Sequence, residues 1–123
     1  MQFALLVNAA ADSAAALTAL QTAKSLHQHP DHQLYRLFLY RDAVHLANRF
    51  AWSGDGDQAG ACQQWQQWVR DSGIDAIVCV GAAQRRGLVN NEAVNNLAEG
   101  FTLAGLGQWA DALINSERVI QIG

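Results

Sequence analysis

Two side chains in this 123-residue sequence carry a thiol, Cys62 and Cys79. Cys79 lies near the end of the apolar run Ile74-Asp75-Ala76-Ile77-Val78-Cys79-Val80. Gly81-Ala82-Ala83 and then Arg85-Arg86-Gly87 follow it. A thiolate is the reactive form of cysteine, and neighbouring cations or unsatisfied backbone N–H groups favour it. The N–H groups around Gly81 and Ala82, with Arg85 and Arg86, are therefore candidates to stabilise an anion on the Cys79 sulfur. A persulfide needs this setting: an accessible sulfur, an anion-stabilising loop and room for an attacking thiolate. The plainer alternative is that Cys79 is a small buried hydrophobe in a strand. Cys62 shares a helical stretch with Trp65 and Trp68, where packing is the simpler role, although a Cys62–Cys79 redox pair is the competing idea.

Tyr40, Arg41 and His45 follow a second apolar run and are candidates to line a site, with a helix-surface position the alternative for His45. His27, His29 and His32 do not form a recognised metal spacing, and Pro30 interrupts them. Trp65 and Trp68 share a helix face, where core packing or a subunit interface explains them better than a flat ligand. Gly105-Leu106-Gly107 lacks the strand–loop–helix setting of a dinucleotide fingerprint.

The elements that position these residues alternate between strand and helix. Short apolar runs at Phe3–Val7, Leu34–Leu39 and Ile74–Val80 predict strands buried on both faces. Arg118–Ile122 predicts a closing strand, and Gly100–Leu103 a short extended piece. Helical spacing predicts helices at Ala14–His27, Gln58–Asp71 and from about Leu103 or Gly105 to Asn115, the first with Leu17, Leu20, Ala23 and Leu26 or Ala16 and Ala23 inward. Ser13 or Asp12 caps the first, Pro30 closes its exit, and Gly73 ends the second. A short helix through Ala43–Ala47, capped by Asp42, is expected, and another over Glu92–Leu97. Trp52-Ser53-Gly54-Asp55-Gly56-Asp57 reads as a loop. The alternation predicts one α/β layer domain over residues 1–123 with a mostly parallel central sheet and right-handed crossovers.

Bulk properties narrow the function classes. Half the residues are hydrophobic and the net charge is −3. That suits a globular fold and disfavours an extended nucleic-acid surface, which needs clustered Lys and Arg. Two cysteines are too few for a secreted disulfide scaffold. No apolar stretch reaches the roughly 18 residues of a membrane span, and the N-terminus lacks the basic start of a signal peptide. The expectation is a cytoplasmic protein with both thiols reduced.

Four segments, in order along nearly the whole chain, resemble the DsrE/TusD sulfurtransferase family. They are Met1–Val7; Phe38-Leu39-Tyr40-Arg41-Asp42-Ala43-Val44 with Ala47-Asn48; Ile77 to Gly87 around Cys79; and Gly100–Gly107 followed by Arg118–Gln121. The resemblance implies a flavodoxin-like three-layer α/β/α fold and makes Cys79 the sulfur-carrying residue. It implies a sulfurtransferase that takes sulfur as a persulfide from an upstream donor protein and passes it to an acceptor protein. The family's settings are the tRNA 2-thiouridine relay and cytoplasmic sulfur trafficking. It also implies assembly with related subunits, as hetero- or homo-oligomers. No metal or organic cofactor is implied, because the sulfur is the cargo; neither direct nucleic-acid binding nor a membrane is expected. The Ala-rich loop Asn8–Ser13 departs from the glycine and proline of relatives. Two other readings stand beside this one: an oligomer subunit without sulfur chemistry, and a small redox-sensing module using both cysteines.

Overall fold

The computed structural model describes residues 1–52, 60–90 and 95–123. Among these, five strands form one all-parallel sheet in the order β4-β3-β2-β1-β5. The strands are β1 (Gln2–Val7), β2 (Gln33–Leu39), β3 (Ala76–Cys79), β4 (Phe101–Ala104) and β5 (Arg118–Ile122). The helices are α1 (Ala14–Gln28), α2 (Ala61–Ser72), α3 (Val80–Arg85) and α4 (Leu106–Asn115). A 3₁₀ helix spans Arg41–Ala47. The expected three-layer α/β/α arrangement is present.

The layers are unequal, and the strand order says why. β1 to β4 step across the sheet in one direction, so right-handed crossovers put α1, α2 and α3 on one face. The return from β4 to β5 runs the other way and puts α4 on the opposite face. Strands buried from both sides carry almost continuous apolar sequence. Leu5, Val7, Leu37, Phe38, Leu39 and Val78 are all fully buried.

On the crowded face, α1 comes close to the sheet because its buried stripe is small: Ala16, Ala19, Leu20 and Ala23. Leu17, expected to point inward, is exposed. Ser13 is the cap, accepting a hydrogen bond from the Ala16 N–H at 3.3 Å. Trp65 of α2 is fully buried, and its indole N–H donates to the Ala16 carbonyl at 2.9 Å. Trp65 and Trp68 pack edge to face at 6.0 Å, so the core role of this pair holds. Gly73 ends α2 in the left-handed conformation, φ 68°, as its residue type predicts.

On the sparse face, α4 is held by a guanidinium. Arg36 of β2 donates from Nε to Asp75 at 2.7 Å, and from Nη1 to Asp111 at 2.9 Å and to the Gln108 carbonyl at 2.7 Å. The Tyr35 hydroxyl also donates to Asp111, at 2.8 Å. Consecutive strand residues normally face opposite sides, but the β1–β2 register slips between Phe3 and Ala4, leaving Tyr35 as the extra residue. That bulge lets both side chains reach one carboxylate.

Several element boundaries differ from the sequence expectation. Strand β3 is Ala76–Cys79, not Ile74–Val80; Val80 begins α3. Gly81-Ala82-Ala83 is therefore the first turn of a helix, not a loop. The 3₁₀ helix starts at Arg41 and takes Asp42 into its first turn, so Asp42 is not its cap. Asn95 and Leu97, expected in a helix, instead form isolated antiparallel bridges to Val89 and Asn48. Residues 53–57 of the expected loop, 58–59 of the expected helix start and 92–94 of the expected short helix lie outside the described residues.

The crevice between β1 and β5, where the strand order reverses, is the usual ligand position in such sheets. Here the chain fills it. Asn8 N–H donates to the Ile122 carbonyl at 2.9 Å, and a Cβ on Gly123 (φ 102°) would lie 2.4 Å from the Ala9 nitrogen.

The Asp111 cluster makes a pH prediction. The Tyr35 hydrogen bond, and after it the Arg36 contact, hold the Asp111 carboxyl below its ordinary value despite some desolvation. A carboxylate favoured in the folded state stabilises at pH above its unfolded value of about 4, and that stabilisation is lost as pH falls through the lowered folded value. Thermal melts of Asp111→Asn should lie below wild type at neutral pH. The gap should close as pH drops through the carboxylate range. A gap independent of pH would contradict the role given to the charge.

Candidate functional site

Cys79 is the last residue of β3 and the residue that caps α3. Its register partner on β4 is Ala104, and Ile77, two residues back, pairs with Phe38 of β2. In-register residues of parallel strands share a face, and so do residues two apart. Ile77, Cys79, Ala104, Phe38 and Tyr40 therefore all face the α4 side. The ring contacts agree: Phe38 lies 6.4 Å from Tyr40 and 5.7 Å from Trp109 of α4. At the C-terminal edge, Tyr40, Cys79 and Ala104 form a row across three strands, next to the start of α4.

Cys79 is 5% exposed, which is less than a sulfur offered freely to solvent would show. Ala104 and Tyr40 are partly exposed on either side of it. Ala104 puts only a methyl group beside Cys79, and the chain turns at Gly105 into α4.

Gly81 and Ala82, chosen for their N–H groups, lie in the first turn of α3 directly behind Cys79. Ala82 is buried and Gly81 partly exposed. The two arginines separate. Arg86 donates from Nε to Asp42 at 2.9 Å and from Nη1 to the Ala82 carbonyl at 3.2 Å. It ties α3 to the 3₁₀ helix and is committed there. Arg85 is exposed, and its guanidinium folds back over Gly81; a Cβ built on Gly81 would meet it at 3.6 Å.

Arg41 has a different setting. It adopts φ 51°, and among the described residues it is the non-glycine residue with positive φ. A left-handed arginine costs about 1 kcal/mol relative to an allowed conformation. The turn carries the chain from extended Tyr40 (φ −128°, ψ 155°) into the 3₁₀ helix, and sets the guanidinium carbon 5.7 Å from the Tyr40 ring centre. Tyr40 and Arg41 thus accompany Cys79 at the sheet edge.

His45 does not join that row. It is partly buried in the 3₁₀ helix, and its carbonyl accepts from the Cys62 thiol at 3.7 Å. That places it beside α2, on the crowded face. Cys62 is 6% exposed; burial, followed by the charge of Asp12, pushes its thiol above the ordinary value. Both cysteines are free thiols. Among the described residues no group of three or more metal-ligating side chains assembles.

Sequence reasoning missed the α4 side of the site. Phe38 and Trp109 pack beneath the row, and Ala104 flanks the sulfur. The alternation of Phe38 with Tyr40 was the available signal for a shared face; that Trp109 joins it depends on where α4 crosses.

Residues 1–122 match the DsrE/DsrF-like family. The chain belongs to that family. Two curated relatives of this DsrE/DsrF-like chain show 36% identity. One is the "Sulfurtransferase TusD homolog" of Haemophilus influenzae, aligned over 112 residues and 87% of each chain. The other is "Sulfurtransferase TusD" of Salmonella arizonae, aligned over 98% of this chain and 99% of the relative. Among solved structures, the ychN protein of E. coli superimposes with a TM-score of 0.79, covering 98% of both chains at 23% identity. That likeness concerns the fold. No helix among the described residues is long and apolar enough to cross a membrane.

The Cys62 environment has a measurable consequence. Iodoacetamide labelling of native protein, mapped by peptide, should modify Cys62 far more slowly at neutral pH than the same residue in denatured protein. Its rate should climb only above the usual thiol value of about 8.5. Labelling at the rate of a free cysteine at pH 7 would contradict the burial argument.

Proposed function

We propose that this chain is a sulfurtransferase subunit that accepts sulfur as a persulfide on Cys79 and relays it to a partner protein. The observation that carries the reading is the placement of Cys79. It stands at the C-terminal edge of a parallel sheet, where such folds gather their chemistry, in a chain 36% identical over nearly its whole length to proteins named sulfurtransferase TusD.

The chemistry needs one thiolate and no electron carrier. The Cys79 thiolate attacks the outer sulfur of a donor R–S–SH. The new Sγ–S bond forms, the donor S–S bond breaks, and its electron pair leaves with RS⁻. The proton stays on the outer sulfur, giving Cys79–S–SH. The acceptor's thiolate then takes that outer sulfur by the same displacement and returns the Cys79 thiolate. Both steps follow the rules of thiol–disulfide exchange. In this reading the N–H groups around Gly81 and Ala82, in the first turn of α3 after Cys79, are the donors that stabilise the charge on the sulfur. The sulfur travels as covalent cargo, so the proposed reaction calls on no metal or organic cofactor.

The partners in this reading are an upstream sulfur-donor protein and a downstream acceptor protein in the cytoplasm. The pathway is tRNA 2-thiouridine synthesis or cytoplasmic sulfur trafficking. Related subunits are the third partner class. Leu106, Leu113 and Ile114 of α4 and Val119 of β5 are 54%, 46%, 83% and 46% exposed, which supports assembly through the sparse face.

A second reading has its own observation. The 5% exposure of Cys79 suits a structural subunit in which that thiol is core. Intact mass spectrometry after incubation with a persulfide donor separates the two. The relay predicts a gain of one sulfur atom, removed by dithiothreitol and absent in Cys79→Ser. No gain on a protein whose thiols are confirmed reduced, together with normal assembly of Cys79→Ser, would establish the structural subunit instead.

A further inference from the structure

We propose that Arg41 selects for negatively charged reagents at Cys79, so that the preferred sulfur donor is an anionic persulfide, such as one built on a carboxylate-bearing thiol. This rests on Cys79 being the reacting atom. The starting observation is a mismatch between residue and backbone: a left-handed turn that glycine would adopt freely holds an arginine, φ 51°. The turn does not serve an ion pair. Arg41 is exposed and makes none among the described residues, and its neighbour Asp42 is taken by Arg86. The turn leaves the guanidinium beside the Tyr40 ring, 5.7 Å from its centre. Tyr40 lies on the face and in the row of Cys79, so the free cation stands at the rim of the sulfur site.

The reaction has a use for it. An attacking thiolate and an anionic donor repel each other, and the charge persists through the displacement because the electron pair leaves as RS⁻. A cation at the rim offsets that repulsion while the donor approaches. A neutral donor shares whatever thiolate the cation favours but gains nothing from the offset repulsion, so the ratio of the two rates isolates the charge effect. Arg86 is unsuited, being paired with Asp42. Arg85 is the competing cation, but it lies over Gly81 on α3, the helix that packs on the other face.

The test compares anionic iodoacetate with neutral iodoacetamide as alkylating reagents, with modification at Cys79 followed by peptide mapping. The rate ratio of iodoacetate to iodoacetamide should fall roughly three- to tenfold in Arg41→Gln and Arg41→Gly, the scale of one partly screened charge. It should be kept in Arg41→Lys and in Arg85→Gln. Arg41→Gly should melt no lower than wild type, because glycine relaxes the turn, which separates lost charge from lost fold. An unchanged ratio in Arg41→Gln, a fall in Arg85→Gln instead, or a wild-type Cys79 inert to both reagents would each overturn the assignment. Sulfur loading of the wild type is measured alongside. Failure to load with the reagent ratio intact would remove the relay reading while leaving Arg41's selectivity standing.

Discussion

The Arg36 guanidinium is the contact on which the sparse side of this molecule depends. It is 14% exposed and projects from an inner strand, where an unpaired charge would be costly to keep. Asp75, Asp111 and the Gln108 carbonyl satisfy it together. Two of those partners belong to α4, so satisfying the arginine seats the helix. The bulge at Tyr35 adds a hydroxyl to the same carboxylate. Remove the guanidinium, and what still holds α4 is the Tyr35–Asp111 hydrogen bond, the packing of Trp109 on Phe38 and the buried Ala112.

That seat also defines the chemical edge of the sheet. α1, α2 and α3 crowd one face with close alanine packing and the buried Trp65. Among the described residues the other face carries one helix, α4, and Cys79 looks out on that side. Cys79 stands between the partly exposed Ala104 and Tyr40, while the Cys62 thiol on α2 donates to the His45 carbonyl and feels the charge of Asp12. The two cysteines are equally buried, at 5% and 6% exposure, and differ in the face they occupy and in their neighbours. Burial raises the Cys62 thiol and makes it a poor nucleophile.

The charges near the edge divide their work. Arg86 fastens α3 to the 3₁₀ helix through Asp42. Arg85 lies along its own helix. Arg41, on a strained turn beside Tyr40, makes no ion pair among the described residues. Such strain persists only where the surrounding structure holds it in place. Here the extended end of β2 on one side and the buried Ala43 and Val44 on the other supply that hold.

Much of the fold was legible in the chain itself. Apolar runs mark β1, β2 and β3 to within two residues, because strands covered on both faces have no polar alternation to confuse them, and the expected closing strand matches β5. β4 was readable only as a short extended piece. Ser13 and Gly73 marked helix ends because each residue type satisfies a specific backbone need. The resemblance around Cys79 singled out the thiol. Tertiary structure decided the rest. Whether Gly81-Ala82-Ala83 is loop or helix depends on α3 starting the moment β3 ends, which local propensity does not fix in so short a segment. Arg85 and Arg86 are adjacent in sequence and equal in charge; the position of Asp42, brought from a different element, separated them. His45 and Tyr40 are five residues apart, yet a 3₁₀ helix carried one toward Cys62 and the end of β2 held the other beside Cys79. Which face a side chain reaches follows from register and crossover direction, and those are properties of the assembled sheet.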